Sequence, residues 1–79
     1  MKRDDTAQQA KALESRMHVL VREHADAAAR VEAYGRRRHL TPGEELELKM
    51  YRRLKLMKKD QIAALERELA AAAPFRAAG

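Results

Sequence analysis

Between Thr6 and Tyr34 the chain carries neither proline nor glycine, and Leu13, Met17, Leu20, His24, Ala27, Val31 and Tyr34 follow one another at spacings of 4, 3, 4, 3, 4 and 3. An α-helix brings residues three and four apart onto one face, so this alternation is the a/d seam of a coiled coil. A seam of this kind has to be covered by another helix. Thr6-Ala7-Gln8-Gln9 has the form of a capping box, with a hydroxyl accepting from the third helical N–H and a Gln reaching back, which starts the first helix near Asp5 or Thr6.

The partner helix lies in the same chain. Gly35 is followed by Arg36-Arg37-Arg38-His39-Leu40 and then by Thr41-Pro42-Gly43-Glu44. Thr41 is a fitting N-cap, Pro42 suits the first helical position because its missing N–H would have had no partner there, and Glu44 closes a second capping box. Gly35 is one candidate end for helix 1. The reading adopted carries the helix to about Arg38, where three arginines would suit the negative C-terminal end of its dipole. Helix 2 is then expected from about residue 42 to 73, halted by Pro74, with 74–79 as a flexible tail.

In helix 2 the apolar residues Leu46, Met50, Leu54, Met57, Leu65 and Leu69, joined through Gln61, form one stripe at spacings of 4, 4, 3, 4, 4 and 4. That is closer to an eleven-residue repeat than to a heptad and predicts weak supercoiling. Set antiparallel to helix 1, these residues pair at sums of 80 to 82: Tyr34 with Leu46, Val31 with Met50, and so on to Leu13 with Leu69. Residues 5–73 are therefore expected to form an all-α, antiparallel, coiled-coil-like hairpin: helix 1 over about 5–38, a turn at 39–41 and helix 2 over about 42–73.

Composition limits what such a hairpin can bury. Alanine supplies 16 residues, whereas Leu, Ile, Val and Phe together supply only 14 of the 79. Two helices with so few large apolar side chains make a thin core, so assembly into a larger helical bundle is expected. Leu48, Tyr51 and Ile62 stand to one side of the stripe and are the residues assigned to that second contact, with another copy or with a helical protein partner.

The run Leu48-Lys49-Met50-Tyr51-Arg52-Arg53-Leu54-Lys55-Leu56-Met57-Lys58-Lys59-Asp60-Gln61-Ile62, with His24 and Val31 upstream, resembles the YdcH-like family of short bacterial proteins. Leu48, Tyr51, Arg52, Arg53, Lys55, Leu56, Lys59, Asp60 and Ile62 match the second-helix motif in type. Ala27 and Lys58 stand where the family usually has Leu, and Gln61 where it has Glu. The resemblance implies a helical hairpin and no assigned activity.

His24 is the most unusual seam residue. It reads either as a pH-responsive contact or, more simply, as a polar layer that fixes register by bonding to Gln61 or Asp60 across the hairpin. His18 and His39 fall off the seam. No cysteine, His-Glu-x-x-His or Glu-x-x-His pattern is present, and Glu14 with His18 is an ordinary surface spacing, so neither a metal nor a cofactor is expected. Ser15 has no recognisable base and orienting acid, and two helices enclose no deep pocket, so no enzyme is expected.

Charge gives a second functional lead. Residues 30–59 hold ten basic and four acidic side chains, a net +6, at the turn end of the rod. Arg36, Arg37, Arg38, Lys49, Arg52, Arg53, Lys55, Lys58 and Lys59 are candidate phosphate contacts, which makes sequence-independent nucleic-acid binding the alternative function. Against it, the helix 2 cations spread around the outer half of the helical wheel, as on a solvated face, and neither tyrosine offers a stacking platform. An acidic protein or membrane surface is the remaining option. No segment is apolar enough to span a membrane, and Met1-Lys2-Arg3 leads into Asp4-Asp5 instead of an apolar run, so a cytoplasmic location is expected.

Overall fold

The computed structural model describes the backbone of residues 2–72 and the side chains of residues 8–71. It contains two helices, α1 (Lys2–Gly35) and α2 (Pro42–Ala72), packed against each other as an antiparallel hairpin. The rod measures 57 × 23 × 14 Å. The expected stop at Pro74 and the tail lie outside the described residues.

Helix boundaries follow local chemistry. The start of α2 is as the capping-box pattern predicts: Glu44 N–H donates to Thr41 Oγ1 at 3.1 Å, and Thr41 N–H donates to Glu44 Oε1 at 2.9 Å. Glu45 N–H then donates to the Thr41 carbonyl at 2.9 Å, which opens the helical ladder with Pro42 at its first position. Two boundaries of α1 differ from expectation. The helix is already under way at Thr6, because nothing in Lys2–Asp5 breaks it. It also ends at Gly35, not at Arg38: Arg36 N–H still reaches the Glu32 carbonyl at 3.2 Å, but Arg37 N–H turns to the Tyr34 carbonyl at 3.1 Å, and the chain leaves the helix. The glycine adopts no positive φ. What ends the helix is the need to reverse direction within residues 36–41 and deliver Thr41 to its capping position.

The largest correction concerns the inner face of α2. Leu48 and Leu65 are buried there, and Tyr51, Lys55, Lys58, Ile62 and Leu69 are half-buried, whereas Leu46, Met50 and Met57 are exposed. The inward series 48, 51, 55, 58, 62, 65, 69 has spacings of 3, 4, 3, 4, 3 and 4, a regular heptad seam with lysine at two positions. It mirrors the series in α1, and the seven layers from Tyr34–Leu48 to Leu13–Leu69 all sum to 82. Cross-helix contacts agree with this register. The Tyr34 and Tyr51 rings stack at 6.4 Å, Tyr34 Oη donates to Glu47 Oε1 at 3.2 Å, and Lys58 Nζ pairs with Glu23 Oε1 at 2.9 Å. The eleven-residue reading therefore gives way to a heptad.

Burial is shallow along this seam. Leu20, Ala27, Leu48 and Leu65 are the buried apolar residues among those described. The lysine stems of Lys55 and Lys58 complete the seam where apolar side chains would otherwise stand, with their charged ends directed to its edges.

Candidate functional site: the faces flanking the helix seam

Three side chains assigned from sequence to an external contact are used internally. Leu48, Tyr51 and Ile62 belong to the intramolecular seam, so that assignment is corrected. The reason is geometric: the two apolar stripes of α2 lie side by side, and the helix turns the more regular one inward.

The stripe left outside is Leu46, Met50, Leu54 and Met57, spaced 4, 4 and 3, roughly 110° around α2 from the seam. Leu46 is 68% exposed, Met50 54% and Met57 45%, while Leu54 sits half-buried at the border with α1. On this side an open groove of about 360 Å³ separates the helices, with Glu23 and Asp26 on one wall and Leu54 on the other. Its cations are already engaged: Lys58 pairs with Glu23, and the Arg30 guanidinium lies 5.8 Å from the Tyr51 ring centre. Arg53 and Asp60 are exposed along the outer edge of the stripe.

The opposite side has a different character. Arg52, Lys55 and Lys59 line a second open groove of about 370 Å³ together with Val31 and Leu56, and no acidic side chain lines it. Leu56 is 62% exposed there. On the helical wheel these cations spread over the outer half of α2; in the fold three of them converge.

The turn-end arginines do not act as one cluster. Arg36 pairs with Glu32 at 2.5 Å, and Arg37 with Glu44. Arg38 and Lys49 are exposed, as is Arg53. The Thr41 backbone N–H, then the Arg37 guanidinium, hold the Glu44 carboxyl below the usual carboxylate range despite the opposing loss of solvation. Desolvation and then the neighbouring Glu47 carboxylate push the Tyr34 phenol above its ordinary value.

The polar layer proposed for His24 is also rearranged. His24 is half-buried opposite Lys58, Asp60 is exposed on the outer face, and no hydrogen bond among the described residues joins His24 to Asp60 or Gln61. The Gln61 side-chain oxygen is buried without a partner in the hairpin. Sequence reasoning missed the Lys58–Glu23 pair and the Arg30–Tyr51 contact. Both follow once Leu48 is placed on the seam, because the frame then carries Tyr51 and Lys58 inward.

The fold and its flanks define a class of molecule: a two-helix antiparallel coiled-coil hairpin with one apolar and one basic side. Comparisons with protein-family models, with characterised proteins and with solved structures gave no match. Among the described residues, no helix is long and apolar enough to cross a membrane, and no three His, Asp or Glu side chains converge as a metal site would require.

Proposed function

We propose that this chain is a non-enzymatic helical-hairpin module that works by protein–protein contact, in the cytoplasm, through the stripe Leu46, Met50, Leu54 and Met57. One observation carries the reading: α2 has two apolar stripes, and only one is consumed in making the hairpin. A thin two-helix core gains from a further helix laid along the second stripe, as in helical bundles. Membership of the YdcH-like family is part of the same proposal. Its support is that four of the nine α2 residues that carry the resemblance, Leu48, Tyr51, Lys55 and Ile62, occupy inward positions of the hairpin, while Arg52, Arg53, Leu56, Lys59 and Asp60 lie on its exposed side.

The test is sedimentation of the purified chain together with affinity capture from cells that express it. Association, with itself or with a recurrent protein partner, that is lost in Met50→Ser/Met57→Ser while helicity is kept supports the reading. A variant that associates as well as the parent chain would contradict it.

A second reading is favoured by the basic groove. Arg52, Lys55 and Lys59 converge with no lining carboxylate, an arrangement suited to a sequence-independent contact with nucleic-acid phosphates. Its mark is binding to random duplex DNA that weakens steeply with salt and is lost in Arg52→Gln/Lys59→Gln.

A further inference from the structure

We infer that the Met50–Met57 part of the exposed stripe is covered by the same part of a second copy, crossed antiparallel about a two-fold axis, giving a four-helix dimer. This rests on the proposed interaction function and specifies its partner. Met50, Leu54, Met57 and Gln61 recur at spacings of 4, 3 and 4, a short seam of the kind that packs two helices against each other. Pairing Leu54 with the partner's Met57 sets a sum of 111, and Met50 then meets the partner's Gln61.

The edge of the stripe decides the orientation. Arg53 and Asp60 directly precede Leu54 and Gln61, are exposed, and make no ion pair within the hairpin among the described residues. In the antiparallel arrangement Arg53 of each copy lies beside the partner's Asp60, an isologous contact made twice. In a parallel arrangement each edge position would instead face the partner residue five further on, which sets Arg53 against the partner's Lys58 and Asp60 against the partner's Leu65, so the opposite charges would not meet. The other side of the rod is a poor self-contact, because Arg52, Lys55 and Lys59 would be brought against their own copies.

Orientation and register are read directly by cysteine pairing, since the natural chain has no cysteine. In the antiparallel dimer Met50 is displaced from the partner's Met50 by eleven residues, about 16 Å along the helix, too far for a disulfide. Mixing Met50→Cys with Gln61→Cys under mild oxidation should therefore give the mixed disulfide as the main product, with little from Met50→Cys alone. Sedimentation of the unoxidised proteins supplies the second arm. Arg53→Glu should weaken dimerisation by about tenfold, and Arg53→Glu/Asp60→Arg should restore it, with far-UV helicity confirming that each variant is folded. A dominant Met50→Cys homodisulfide, or a double variant no better than Arg53→Glu, would overturn the antiparallel pairing while leaving the interaction function standing. A natural chain that stays monomeric at high micromolar concentration would remove the second copy as occupant, and the stripe would then belong to another protein.

Discussion

Thr41 and Glu44 show how much local structure four residues can specify. Each satisfies a backbone N–H of the other at the start of α2, so Thr41→Ala should lower stability by about 0.5 to 2 kcal/mol in denaturant unfolding. Glu44 adds a pH dependence of defined sign. Its carboxyl is held below the ordinary range by Thr41 and Arg37, so the fold favours the ionised form. The stabilisation is fully present above the unfolded carboxylate's pKa and is lost as pH falls through the lower folded value. Glu44→Gln should accordingly flatten the acid side of the helicity profile. Gly35 gives the opposite kind of prediction. It is helical, its φ is not positive, and an added Cβ would meet nothing within 4 Å. Gly35→Ala should therefore raise stability by about 0.4 to 1 kcal/mol, by restricting the unfolded chain.

At the scale of the element, the seam of α1 was fully legible although its ends were not, and the seam of α2 was only half so. The α1 seam contains one polar residue, His24, and its heptad is plain in the sequence. In α2 the true seam carries Lys55 and Lys58, while the neighbouring stripe offers Met50 and Met57. A search for apolar periodicity therefore follows Leu46, Met50, Leu54 and Met57, which end up outside or at the border, and rejoins the true seam only at Leu65 and Leu69. What decides between them is regularity: the lysine-bearing series alternates 3 and 4 without a break and keeps every layer at 82. Long aliphatic stems make that choice physically acceptable, since they cover the seam while their charges reach solvent or Glu23. It follows that Lys58→Ala should cost about 1 to 2 kcal/mol through lost packing, whereas Lys58→Met should hold stability within about 1 kcal/mol. An equal loss in both variants would show that the ion pair, not the stem, is what matters. His24→Leu, in the layer facing Lys58, should stabilise the hairpin by about 1 kcal/mol for the same reason.

The same displacement governs the whole molecule. Because the lysine-bearing stripe folds the hairpin, the more apolar stripe remains exposed, and the proposed contact surface moves from Leu48, Tyr51 and Ile62 to Leu46, Met50 and Met57. The fold class was legible because turn chemistry and periodicity agree. The surface was not, because it depends on a rotation of α2 that apolar content alone does not reveal. This division of labour between the two stripes of α2 is tested most directly by far-UV circular dichroism of two double variants. Ile62→Ser/Leu65→Ser should lose most helicity, because helices in so thin a core depend on tertiary packing, while Met50→Ser/Met57→Ser should keep the helical signal of a folded hairpin. The reverse result, a helical Ile62→Ser/Leu65→Ser chain and an unfolded Met50→Ser/Met57→Ser chain, would contradict it.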